Sequence, residues 1–173
     1  QVGGIVECDD FQLTESSKGQ RKLDRKPRKR GSDGRKHHSD KVSVVTAVSR
    51  SKGSITSVVK AKKISGKEAL TALEGKLEKG TVLITDEASS YNVIARKDKD
   101  ITHKKVNSKK NRSEKPVGKI HLQTVNNQHK QIRDFLAPFN GVATKYLPNY
   151  LNWFAYRQAH QDNRAKITTM LST

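Results

Sequence analysis

Cysteine is nearly absent: Cys8 is the single one in 173 residues. One thiol excludes an internal disulfide framework and any zinc site built on a cysteine cluster, and a reducing cytosol fits it best. Aromatic residues are scarce too, at 5%, and only 32% of residues are apolar. That is lean for a globular core. The apolar residues are clustered, however, which predicts a folded domain carrying polar insertions rather than a disordered chain. No apolar run approaches the roughly 18–20 residues that span a bilayer. No charged start followed by an apolar stretch reads as a signal peptide. Acids are few, with 17 Asp and Glu against 35 Lys and Arg, a formal net charge of +18. The length suits one domain over 1–173. Gln1 stands where a Met would start a chain, which suggests a fragment of something longer.

What is abundant is positive charge. Clustered basic charge repels itself in a compact fold and attracts polyanions. Nucleic acid is the default partner, because Lys and Arg release the counterions of phosphates. A membrane surface fits less well, since no basic amphipathic helix with aromatic anchors is visible.

Residues 3–13 read as a strand, led in by two glycines and interrupted by Asp9-Asp10. From Lys18 to Lys41 there are 11 Lys and Arg against three acids, with Gly19, Gly31, Gly34 and Pro27: a basic insertion without regular structure. Residues 42–50 are rich in β-branched side chains and predict a second strand, and 55–60 a third across a turn at Ser51–Ser54. Leu70, Leu73 and Leu77 share one helical face, predicting a helix over 66–78 that Gly80 ends. A strand over 81–85 ends at Asp86, a short helix covers 88–95, and 101–106 reads as a fifth strand. Lys104 to Lys119 forms a second basic loop. Leu122, Val125, Ile132 and Leu136 mark a helix over about 119–137, and a last helix runs from Tyr146 to about Arg164 with Pro148 in its first turn. The order β-β-β-α-β-α-β-α-α predicts an α/β fold. Its sheet is mixed and five-stranded, an antiparallel meander extended by parallel strands through right-handed crossovers, with helices on its faces.

Two acids stand where apolar residues are expected. Asp9 lies inside the first strand and Asp86 at the end of the fourth. On neighbouring strands their carboxylates converge, and two close carboxylates repel each other. A hard divalent cation relieves that repulsion, since Mg²⁺ takes one or two carboxylates plus water and phosphate oxygens. The competing reading is a pair of solvated strand ends. Asp10 points to the opposite face of its strand and is the fallback if the register is off by one. On the long helix Asn126 and Arg133 are about 20° apart round the axis, with His129 and Lys130 between them. An Asn oxygen can ligate Mg²⁺ without bringing charge, and Arg133 can clamp a phosphate. His37-His38 has no third ligand nearby, His103 has no identifiable partner, and Cys8, Trp153 and Phe154 read as packing residues. His121 reads as a structural or phosphate contact near the helix start.

Four segments carry a resemblance: Val6-Glu7-Cys8-Asp9-Asp10, Leu83-Ile84-Thr85-Asp86 with Tyr91 downstream, His121 to Asn126, and Tyr150 to Arg157. In this order and spacing the chain resembles the catalytic core of bacterial insertion-sequence transposases of the ISXO-like group, in the DDE, RNase H-like superfamily. The resemblance implies an RNase H-like sheet and metal-dependent cleavage and strand transfer of insertion-sequence ends. Asp9, Asp86 and Asn126 would then hold two Mg²⁺, with Mn²⁺ as a substitute, and Arg133 would neutralise the scissile phosphate. Asn126 stands where the commonest triads have Glu, and Arg133 where the family usually has Lys. The implied partner is double-stranded DNA, both transposon ends and target, bound by a homo-oligomer in a bacterial cytoplasm at the nucleoid. The usual end-binding region, a zinc ribbon or helix-turn-helix, has no counterpart in these residues. Arg21, Lys22, Arg25, Lys26, Arg28, Lys29 and Arg30 in the first basic stretch, and Lys104, Lys105, Lys109, Lys110 and Arg112 in the second, would follow the phosphates. Two readings compete: a degenerate copy that only binds nucleic acid, and a nuclease of the same fold that cuts without joining.

Overall fold

The computed structural model describes residues 1–23, 41–51, 53–59, 63–106 and 120–160. Its centre is strand β1 (Ile5–Thr14), flanked on one side by β2 (Lys41–Ser49) and β3 (Ser54–Val59) and on the other by β4 (Val82–Asp86) and β5 (Thr102–Val106). The sheet runs β3-β2-β1-β4-β5. The first three strands are antiparallel neighbours, whereas β1–β4 and β4–β5 are parallel. This is the predicted mixed five-stranded sheet, and its architecture is RNase H-like.

Helices cover both faces. Val6, Cys8, Val45, Ala47 and Leu83 point to one face, where α1 (Gly66–Leu73) and α2 (Asn92–Lys97) bury Ala69, Leu73 and Ile94 with Tyr91. Phe11, Val42, Val44 and Ile84 point to the other, where α3 (Gln123–Leu136) and α4 (Leu147–Ala159) bury Val125, Ile132, Leu151 and Phe154. β2 is buried on both faces from Val42 to Ser49, which explains its nearly unbroken β-branched run.

Helix α1 opens on a capping box. Ser65 Oγ accepts the Glu68 N–H, and Glu68 Oε2 accepts the Ser65 N–H at 2.8 Å. The helix stops at Leu73, not at residue 78. Gly75 (φ +69°) turns the chain, and Leu77 pairs with Val2 as a short parallel bridge. Leu77 reaches the same apolar cluster as Leu73, but through extended chain, which is why its spacing imitated a helix. Gly80 (φ +77°) sits in the turn before β4 instead. The short helix begins as a 3₁₀ turn over Ser89–Tyr91 before α2. Helix α3 begins at Gln123 rather than 119, and α4 is described only to Ala159 and His160. Pro148 occupies the first turn of α4 as predicted. Lys104 and Lys105 belong to β5, not to a loop. Among the described residues no helix is long and apolar enough to cross a membrane.

Candidate active site

The site is built where β1 and β4 leave each other. Their paired residues are Ile5–Val82, Val6–Leu83 and Glu7–Ile84. Carried on by two residues, the same register would set Asp9 level with Asp86, and the Asp86 charge does act on Asp9. The pairing ends at Glu7–Ile84, so the strands can part at the aspartates. Alternation gives the faces. Ile84 packs in the cluster of α3, so Asp86 shares that face. Asp9 shares it with Phe11, which packs under α3 and α4.

Burial pushes the Asp9 carboxyl up to about 6, the Asp10 backbone N–H opposes this, and the charges of Asp86 and Asp10 add to it. That N–H donates to Asp9 Oδ1 at 2.8 Å. Asp86 Oδ1 accepts the Ala88 N–H at 3.0 Å. Asp10 faces the opposite side, where the buried Tyr91 hydroxyl donates to its Oδ1 at 3.3 Å. Burial and the Asp86 charge raise Asp10 as well, against the bond from Tyr91. Burial also holds Tyr91 and Cys8 protonated, which leaves Cys8 an inert core thiol.

Helix α3 keeps step with β1. Its Thr124 and Val125 N–H groups donate to Glu7, His129 hydrogen-bonds the Asp9 backbone, and the Arg133 guanidinium lies 4.7 Å from the Phe11 ring centroid. From residue 124 to 133 a helix rises about 13.5 Å, and four strand residues span about 13 Å, so the two elements run alongside. Gln128 bonds Gln158 of α4 at 2.7 Å, and Phe135 packs on Trp153 and Phe154. Asn126 and Arg133 each precede one of these by two positions, about 200° round the axis. They therefore lie on the flank turned away from α4, which itself packs over β3. Asn126 and Arg133 are both exposed.

His129 and Lys130 do not share that edge. His129 is buried with its ring centroid 4.6 Å from that of Phe11, and burial, reinforced by the Arg133 charge, lowers it to about 4. Lys130 is exposed beside Asp134. Two buried polar atoms near Asp9 lack a hydrogen-bond partner among the described residues: His129 Nε2, and Thr46 Oγ1 on the β2 residue opposite Asp9.

Of the predicted phosphate contacts, Lys104 pairs with Ile84 and lies on the face of the aspartates, whereas Lys105 lies on the other face beside His103. Both are exposed. Arg21 and Lys22 are exposed beyond the far end of β1. Arg25, Lys26, Arg28, Lys29, Arg30, Lys109, Lys110, Arg112 and His37-His38 lie outside the described residues. His103 does have a partner, Thr85 Oγ1 at 2.8 Å, and burial lowers its pKa. Trp153 is half exposed within a ring cluster with Phe135, Phe139 and Tyr150.

Sequence reasoning missed Glu7, a third acid in the same strand. It is fully buried and paired with Arg50 at 2.7 Å. An acid at an alternate position from Asp9 was the available signal, hidden by the more conspicuous Asp9-Asp10 pair.

Among the described residues no group of three His, Cys, Asp or Glu side chains gathers as a metal cluster. Asp9 and Asp86 instead offer two carboxylates on one sheet face, oxygen donors of the kind Mg²⁺ takes together with water and phosphate and not the nitrogen and sulfur set of a zinc site.

A five-stranded sheet in this order, with one acid inside β1 and another at the end of the adjacent β4, defines an RNase H-like α/β protein. The particular family follows from comparison: the ISXO2-like transposase domain matches residues 1–159, and the chain belongs to that family. No curated protein and no solved structure matches the chain.

Proposed function

We propose that this chain is the catalytic domain of a transposase that cleaves insertion-sequence ends and joins them to target DNA. The reading rests on one observation above all: β1 and β4 pair in parallel up to Glu7–Ile84, and two residues further on Asp9 and Asp86 share one sheet face, close enough for the Asp86 charge to act on Asp9, in a chain that belongs to a transposase domain family. Asp9, Asp86 and Asn126 would hold Mg²⁺ or Mn²⁺, which when bound supplies an activated hydroxyl nucleophile and stabilises the leaving 3′-oxygen.

The protein's own residues do the rest. The carboxylates orient the scissile phosphate from the sheet, and their mutual repulsion keeps the site receptive to cations. Arg133 has its guanidinium braced on the Phe11 ring and exposed on the Asn126 flank, so it can neutralise charge on that phosphate. His129, neutral at pH 7, is a packing and backbone-holding residue rather than a proton carrier. Lys104 extends a positive track from Asp86 along the same face, and the basic stretches beyond it would follow the duplex. Hydrolysis frees a 3′-hydroxyl, and that hydroxyl then attacks a target phosphodiester in line, displacing a 3′-oxygen, without a covalent enzyme intermediate. A homo-oligomer would bring two ends together.

The test is an end-cleavage and strand-transfer assay on labelled insertion-sequence DNA with Mg²⁺ or Mn²⁺, with the chain in its full-length protein and as the Asp86→Asn variant. Joined product made by the parent and lost in the variant is expected. Cleavage without joining would make the chain a nuclease. Equal binding with no cleavage by either protein would reduce it to a degenerate nucleic-acid-binding domain.

A further inference from the structure

The Glu7 side chain has no solvent exposure at all, yet it is an acid, paired with Arg50, in the central strand of a lean core. Its carboxylate is heavily used. Oε2 accepts the backbone N–H groups of Thr124 at 2.8 Å and Val125 at 3.1 Å. Oε1 accepts the Thr124 hydroxyl at 2.9 Å and Arg50 Nε at 2.7 Å, and His121 Nδ1 lies 3.2 Å away. Arg50 in turn donates from Nη2 to the His121 carbonyl at 3.3 Å. Strand β1, the turn after β2 and the entry to α3 are thus tied at one carboxylate.

Helix α3 needs such a tie. Its own N-cap position is Leu122, which offers no side-chain acceptor. The first N–H groups of a helix are unsatisfied unless something outside the helix accepts from them, and a carboxylate there is also favoured by the helix dipole. Here a residue 117 positions away in the sequence does so. A hydrophobic replacement of a buried ion pair is often no less stable, so stability alone does not explain an ionic arrangement at this place; fixing a register is the better-attested use.

The spacing says which register. Glu7 precedes Asp9 by two residues on one face of β1, and Thr124, bonded twice to Glu7, precedes Asn126 by two residues on α3. A slip of one residue in the strand would turn Asp9 to the opposite face. A slip of one residue in the helix would swing Asn126 by about 100°. We infer that Glu7, through Arg50 and Thr124, is a positioning residue that locks α3 to β1 and so sets where Asn126 stands relative to Asp9 and Asp86. What Asn126 does there rests on the metal-dependent function proposed above; how it is held does not.

The experiment uses isotope-labelled protein and two variants: Glu7→Gln, and Thr124→Val, which deletes one bond and keeps the shape should the first fail to fold. Amide exchange at Thr124 and Val125 is measured together with Mn²⁺-induced broadening of the Asp9 amide and of the Asn126 side-chain amide. In the parent both signals should broaden, with Thr124 and Val125 protected. In the variants those two amides should exchange faster, and Asn126 should lose broadening while Asp9 keeps it. DNA cleavage should fall about tenfold or more in kcat, with KM for DNA unchanged. Unchanged protection at Thr124 and Val125, or Asn126 broadening equal to the parent's, would overturn the inference. Failure of Mn²⁺ to broaden Asp9 in the parent would sink the metal-dependent function instead. Amide exchange then judges the lock: faster in the variants if Glu7 holds α3, the same if it does not.

Discussion

Asp9 carries its charge at a cost. Its carboxyl is raised to about 6 from 3.8, first by burial and then by Asp86 and Asp10, against the Asp10 N–H. In the folded state the proton is held more tightly than in the unfolded chain, so the penalty on folding is complete above pH 6. It shrinks as pH falls through 6 and is gone below 3.8. Asp9→Asn should therefore stabilise the metal-free protein at pH 7 by on the order of 1–3 kcal/mol, while abolishing strand transfer. Thermal melts in EDTA check this: a higher Tm for the variant at pH 7 that converges on the parent near pH 4 is expected, and a lower Tm at pH 7 would contradict it. His129 works in the opposite sense. Buried and beside Arg133, it is lowered to about 4, so it withdraws stability as pH falls from 6.5 toward 4. Its imidazole resonances should stay those of the neutral ring down to about pH 4; titration near 6.5 would show that the ring is solvated. At this scale the sequence singled out Asp9 and Asp86 as candidates, because acids inside apolar strands are costly without a purpose, and the structure puts them close enough to interact. It did not disclose Glu7, His103 or His129, whose partners are 117, 18 and 120 positions away. Such pairings exist only after the sheet has formed.

The elements were legible wherever periodicity and punctuation agreed. β2 announced itself by its β-branched run, and α3 by Val125, Ile132 and Leu136. The gap in that stripe is filled by buried Gln128 and His129, which hydropathy treats as surface residues. Helix α1 was read too long because Leu77 falls on the right face of an imagined helix, while Gly75 went unweighed against Gly80. What holds the true α1 is its capping box. Ser65→Ala should cost about 1 kcal/mol in urea unfolding without altering DNA cleavage, since Ser65 lies on the α1 face of the sheet, away from the aspartates. An unchanged midpoint would show that packing of Ala69 and Leu73 alone sustains the helix. The two lysines of β5 carry a similar lesson. Adjacent in sequence, they lie on opposite faces once 102–106 is a strand rather than a loop. Lys104→Ala should weaken DNA binding and flatten its salt dependence by about one charge, and Lys105→Ala should do so less; equal effects would remove the site-facing track.

At the scale of the molecule, a net charge of +18 stands beside two close aspartates. In the proposed function the basic charge would draw in a polyanion, and the acidic pair would take a cation before a phosphate approaches it. The sheet order reconciles them, since it makes β1 and β4 neighbours and so brings residues 9 and 86 to one sheet face, with α3 packed over β1. That convergence was predictable from the β-β-β-α-β-α-β order, because a strand returning through a crossover falls parallel to the first. Helical spacing put Asn126 and Arg133 on one flank of α3, whereas the Glu7 bonds to Thr124 and Val125 could not be read from spacing. The most direct measurement of the central claim is a crystal structure of the chain grown with Mn²⁺ and recorded at the manganese absorption edge. An anomalous peak within bonding distance of both the Asp9 and Asp86 carboxylates, lost in Asp86→Asn, is the expected result. Manganese elsewhere, or carboxylates turned away from each other with no metal between them, would contradict it.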